Sequence, residues 1–135
     1  MRVLFVLFFL SLPLAAEAQT TAELVAHLDD DPDELHVDYT PSVHALCTRG
    51  LDAARAVVPL LDASDPLTRM HASRVIECVI ATHFGWRAGQ GYPSGSDGEA
   101  RYLALWRANG DYDFDAAPAM RRASAARWRA WLAAH

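Results

Sequence analysis

Three aspartates stand at alternate positions in "DYDFD": Asp111, Asp113 and Asp115. Carboxylates in that rhythm open an EF-hand calcium loop, which goes on to need glycine at its sixth position and a bidentate acid at its twelfth. Here those positions hold Ala116 and Arg122. The EF-hand pattern therefore fails, and the triplet stands only as a weak candidate for a looser calcium site. The plainer role for such aspartates is to cap a helix and meet solvent, and the "DDDPDE" run at 29–34 reads the same way. Six histidines are present, without HExxH or any other metal-ligand spacing. His36 and His44 flank a loop and are placed to approach Asp38. His83 falls near the apolar stripe of a helix and reads as a partly buried, hydrogen-bonded ring. The sequence calls for no metal or cofactor.

Nucleophile chemistry is as thinly supported. There is no GxSxG elbow and no glycine-rich loop followed by Lys-Ser or Lys-Thr. All twelve basic residues are arginine, so Schiff-base and Ser-Lys mechanisms have no amine to use. The serines of "SGSDG", residues 94–98, have no histidine close in sequence; a hydrolase built here would need one delivered by the fold. The same loop, 86–98, carries Trp86, Arg87 and Tyr92 among glycines. Aromatic and arginine side chains on a loop make partner-binding hot spots, and the alternative is that they fold back over a helix end.

The last basic-aromatic stretch, "RRASAARWRAWLAAH", raises nucleic-acid and membrane readings. Stacking on bases needs gathered arginines and exposed tryptophans, and a net charge of −5 argues against nucleic acid. On a helical wheel Met120, Trp128, Trp131 and Leu132 share one arc, and Ala123, Ala126 and Ala130 share a second arc suited to a neighbouring helix. Arg121 and Arg127 flank the tryptophans within stacking reach. The segment reads as a terminal core helix, with membrane-surface binding through 118–135 as the rival.

These residues must be positioned by helices, because strand alternation bounded by hairpin turns is absent. Thr20 and Glu23 form a capping box before a short helix at about 21–28. Thr40-Pro41 opens a second helix that stops at Gly50. Asp52 caps a third, "AARAVVPLLD", which Pro59 should bend or locally distort. Asp65-Pro66 starts the clearest helix, whose stripe is Leu67, Met70, Ala72, Val75, Ile76, Val79, Ile80 and His83, with Arg69, Arg74 and Glu77 on the other side. Gly85 ends it. Ser96 or Asp97 caps a fifth helix that closes at Gly110, and Pro118 lies in the first turn of the last.

The opening "MRVLFVLFFLSLPLAAEAQT" reads as a secretory leader, residues 1–18, with Arg2, an apolar stretch from Val3 to Leu14 and the small-x-small site Ala16-Glu17-Ala18. That stretch is too short to span a bilayer, which takes roughly 20 residues. Cleavage after Ala18 would leave a single domain, 19–135, long enough to bury a core, with no stable membrane insertion. A secreted or periplasmic chain meets an oxidising compartment, so the pair Cys47 and Cys78 points to one disulfide. Two separate buried thiols are the alternative.

The stretch "AARAVVPLLDASDPLTRMHASRVIECVI", residues 53–80, resembles a HEAT repeat, the two-helix unit of α-solenoids. A short helix ends in Val-Pro-Leu-Leu-Asp, a turn carries Asp65-Pro66, and a second helix brings Arg69, Ala72 and an aliphatic run. "PSVHALCTRG" before it looks like the second helix of a preceding, degenerate repeat, so the resemblance covers about 41–84. It implies that Pro59 bends the first helix, Asp65 caps the second and Arg69 pairs with acidic groups in the turns. It also implies that Cys47 and Cys78 lie at similar heights on neighbouring helices, in favour of the bridge. Solenoids bury a continuous core from about three repeats upward, so the Trp-rich last helices are expected to act as a cap. The family is a binding scaffold without a shared active site. The expectation is thus an all-α, short HEAT-like hairpin array with Trp-rich C-terminal helices, acting as a non-catalytic, exported protein-interaction module with a protein partner of unknown identity. The rival readings are a small secreted hydrolase using the 86–98 loop and a membrane-surface binder.

Overall fold

A computed structural model describes residues 18–135; the leader expectation, Ala18 excepted, falls outside the described residues. Among those residues every regular element is helical. Helix α1 (Thr21–Ala26) begins with the capping box: the Thr20 hydroxyl accepts from the Glu23 N–H at 3.2 Å, and the Glu23 carboxylate accepts from the Thr20 N–H at 2.6 Å. Helix α2 (Pro41–Cys47) starts at buried Thr40, whose hydroxyl accepts from the Val43 N–H and donates to the Leu28 carbonyl at 2.8 Å. One side chain thus caps α2 and ties it to the end of α1.

Helix α3 (Leu51–Val57) departs from expectation at both ends. Gly50, at φ 65°, takes the N-cap position, and Asp52 sits inside the first turn, paired with Arg55 at 2.6 Å. Pro59 distorts the helix locally, as one of the two expectations had it, and does not bend a longer one. Lacking an N–H, it ends the α-helical ladder, and the chain tightens into a 3-10 turn, Val58–Asp62.

Helix α4 (Pro66–His83) is capped by Asp65, which accepts from the Leu67 N–H at 2.9 Å. It packs against α2, α3 and the 3-10 turn, burying Ala72, Val75, Ile76, Val79 and Ile80 as its stripe predicts. Three positions differ. Arg69, expected on the polar side and paired with acids, is buried, and its guanidinium donates to the carbonyls of Ala63, Ser64 and Phe114. Carbonyl partners let the charge stay dry without a counter-ion close by. His83 is exposed, edge-on to Phe84 and Trp131. The histidine in the core is His71, fully buried, with Nδ1 at 2.6 Å from Asp29 Oδ1 and Nε2 at 2.8 Å from the Val37 carbonyl. A carbonyl only accepts, so Nε2 carries a proton. Thr68 donates to the other Asp29 oxygen at 2.5 Å.

A disulfide joins Cys47 on α2 to Cys78 on α4, with Cα atoms 5.6 Å apart. Val37 meets His71, Asp38 and Tyr39 meet Arg74, and Cys47 meets Cys78. These pairs ascend together, so α2 and α4 run in the same direction. By loop-closure entropy, a bridge across a separation of 31 residues stabilises the fold by about 3.5 kcal/mol.

Helix α5 (Gly98–Ala108) lies on α4, and α6 (Pro118–Ala134) packs on the 3-10 turn and α3. Three of the four tryptophans, Trp106, Trp128 and Trp131, form a C-terminal cluster. Trp128 is fully buried, with ring centroids 5.2 Å from Trp106 and 6.1 Å from Trp131, and Trp106 stacks on Tyr102 at 5.9 Å. The rotation of α6 differs from the wheel. Its inward line is Ser124, Ala125, Trp128 and Leu132, while Met120 and the expected contact alanines Ala123, Ala126 and Ala130 face solvent. The α5–α6 link sets this angle: the Ser124 hydroxyl donates to the Asn109 carbonyl at 2.5 Å, and Tyr112 donates to the Leu61 carbonyl at 2.6 Å. Arg121 donates to the Ala116 carbonyl instead of stacking on tryptophan. The stacked arginines are elsewhere, Arg74 over Tyr39 and Arg101 over Phe84.

Candidate functional site

The segment between α4 and α5 doubles back over the end of α4. Phe84, Gly85 and Trp86 close that helix, the Trp86 N–H bonding the Ala81 carbonyl at 3.0 Å. Arg87 and Gly91 then form an isolated bridge around a tight turn. Gly98 is buried where the chain enters α5. A Cβ there would lie 2.2 Å from the Phe84 carbonyl oxygen and 2.9 Å from the Tyr92 ring, so only glycine lets the Tyr92 ring settle against α5.

This packing leaves a cleft of about 260 Å³ between α4 and α5. Its aromatic walls are Tyr39, Trp86, Tyr92 and Tyr102, with Leu103, Ala81 and the bridged Cys78 as aliphatic and sulfur surface. Its charged lining is Arg74, Glu77 and Glu99. Trp86 and Leu103 stand partly in solvent, 37% and 41% exposed, at the mouth. Of the three loop residues singled out from sequence, the fold brings Trp86 and Tyr92 to this cleft. Arg87 lines an adjoining hollow of about 430 Å³ with Gln90, Gly91, Pro93 and Ser94, and Tyr92 borders both.

One guanidinium serves two carboxylates here. Arg74 bonds both Asp38 and Glu77 and lies 5.3 Å from the centroid of Tyr39. Burial alone would lower the Arg74 pKa, but the two carboxylates outweigh it and hold the guanidinium more firmly protonated than usual. Glu77 is pushed up from the ordinary carboxylate value: burial dominates, Arg74 opposes it and the Asp38 charge adds to it. Burial, with Glu77 and Tyr92 nearby, raises the Tyr102 phenol to about 12. Burial and Glu99 also raise Tyr92. The Tyr92 hydroxyl and Arg74 Nε are buried without a protein partner.

The other candidates lie elsewhere. Asp111, Asp113 and Asp115 are exposed on the α5–α6 link, and Asp113 accepts from the Asp115 N–H at 2.9 Å, a local turn bond. Among the described residues no three metal-ligating side chains converge. His36 pairs with Asp33 rather than Asp38, and His44 stacks on Tyr39. His27 pairs with Asp30, and His135 stacks on Trp131. Ser94 and Ser96 are exposed, and among the described residues no hydrogen bond joins either serine to a histidine. No helix of the described residues is long and apolar enough to cross a membrane.

Sequence reasoning missed Tyr39, Arg74, Glu77, Glu99, Tyr102 and Leu103 as lining. The i,i+3 pair of Arg74 and Glu77 beside the aliphatic run of α4 was the available signal. Nothing in the chain pairs that stretch with Tyr102. No known protein family, curated protein or solved structure matches the chain.

Proposed function

We propose that this chain is an exported, non-catalytic helical interaction module, a short HEAT-like array in which α3 with its 3-10 turn and α4 form one hairpin unit, α2 is the remnant of a preceding one, and the Trp-rich α5–α6 pair is the cap. The cleft between α4 and α5 is the contact surface. One observation carries this reading: the aromatic walls meet at a charged floor while the mouth keeps an indole and a leucine in solvent. Exposed aromatics beside desolvated charges are what a partner-anchoring pocket needs. The disulfide supports export, because such bonds persist in oxidising compartments.

The test uses the mature chain, 19–135, immobilised over an extract of its own cell envelope, beside a Trp86→Ala/Tyr92→Ala variant with a matched melting curve. The reading expects a protein retained by the parent and lost by the variant. Equal retention by both chains would reject the cleft as the contact surface.

A further inference from the structure

The cleft's volume limits its occupant before its chemistry does. Drug-sized ligands fill roughly 300–1,000 Å³, and about 260 Å³ holds a small head-group or a single side chain. Charge then selects the sign. Asp38, Glu77 and Glu99 supply three carboxylates at or behind the lining, against the one guanidinium of Arg74. Arg101 lies over Phe84 and Arg87 lines the adjoining hollow, both outside the lining. Tyr39 is already covered, by His44 stacked on it and by the Arg74 guanidinium over it, which shows the fold using a cation–aromatic contact. The rings of Trp86, Tyr92 and Tyr102 complete the lining, and aromatic faces attract cations.

We propose that the cleft between α4 and α5 is a cation site that takes one alkylammonium group, its charge between Glu77 and Glu99 and its alkyl part against Trp86, Tyr92 and Leu103. The inference rests on the binding-module reading and names the chemistry of its anchor. A buried, unpartnered Tyr92 hydroxyl is free to accept from an ammonium N–H. Glu77, whose charge is destabilised by burial, shares its one counter-ion, Arg74, with Asp38, and an ammonium would give it a second. The chain has no lysine, so a second copy brings no alkylammonium side chain; the group comes from another molecule, as a free amine or as the lysine of a peptide.

The experiment titrates butylammonium, 1-butanol and butyrate into the mature protein, read by tryptophan fluorescence with Trp86→Phe as the control for signal origin. A lysine-containing peptide and its norleucine counterpart form a second pair of arms. The expected result is saturable butylammonium binding at least about tenfold tighter than 1-butanol or butyrate, weakened about fivefold by Glu99→Gln, a substitution on an exposed residue. A lysine peptide binding more tightly than both butylammonium and the norleucine peptide identifies a peptide source; equal binding of peptide and butylammonium identifies free amines. Binding of butyrate or butanol as tight as the amine overturns the proposal, as does the lack of any saturable cation binding. If cations fail while capture from the envelope still depends on Trp86 and Tyr92, the cation assignment falls and the binding-module reading stands. If cations bind while capture does not depend on those residues, the reverse holds.

Discussion

Helices α4 and α5 face each other across the cleft and are held in opposite ways. Helix α4 buries eight of its 18 residues and is tied down by the disulfide and by His71 between Asp29 and Val37. Helix α5 buries only Gly98 of its 11 residues, and the half-buried rings of Tyr102 and Trp106 do most of its holding. The deeper charges, Arg74 and Glu77, sit on the firmly held wall, while Tyr102, Glu99 and Leu103 sit on the lightly held one. Fixed charges keep their geometry without reorganising, and a lightly packed aromatic wall can fit itself to an occupant. Under the proposed binding reading, the contrast gives selectivity to α4 and adaptation to α5.

The largest expected effect tests the tryptophan cluster through which α5 and α6 are held to the core. Trp128→Ala removes a fully buried indole and should destabilise the protein by about 4 kcal/mol. Chemical denaturation with an unchanged m-value would measure it; a loss under about 1 kcal/mol would mean that the tryptophan cluster does not anchor α6. Next comes His71→Leu, which leaves the Val37 carbonyl unpaired and the partly exposed Asp29 carboxylate with Thr68 alone, at a cost of about 2 kcal/mol. Amide exchange should quicken over 29–40 and the first half of α4, and leave α5 unchanged. The smallest effect belongs to the light wall. Alanine at Gly98 gains about 1 kcal/mol of helix propensity but clashes with the Phe84 carbonyl and Tyr92, typically costing about 1–3 kcal/mol. A net loss of about 1 kcal/mol, with changed tyrosine and tryptophan spectra, fits a wall that can yield. A loss as large as that of Trp128→Ala would erase the distinction between the two helices.

Much of the scaffold was legible. The apolar stripe of α4 was readable because period and burial coincide along a long helix, and the disulfide because an exported chain with two cysteines favours a bridge and the suspected repeats put both on neighbouring second helices. Trp86 and Tyr92 were found from composition, aromatics stranded among glycines. The rest of the cleft was not readable: Tyr39 precedes α2, Glu77 lies on α4 and Tyr102 on α5, and no local pattern states that these segments meet. Arg69 and His71 were misjudged or missed because a polar side chain at a core position becomes tolerable only when distant carbonyls and a carboxylate arrive to bond it.

Local chemistry along the chain settled where helices start and what they are made of: Thr20 with Glu23, Thr40-Pro41, Asp65-Pro66 and Pro118 act on backbone groups a few residues away, and need nothing remote to do so. Tertiary packing settled the rest. The rotation of α6, the burial of His71 and the meeting of α4 with α5 each depend on bonds between residues far apart in sequence, such as Tyr112 to Leu61 and His71 to Asp29. A helix face is only a set of alternatives until a partner surface excludes all but one from water.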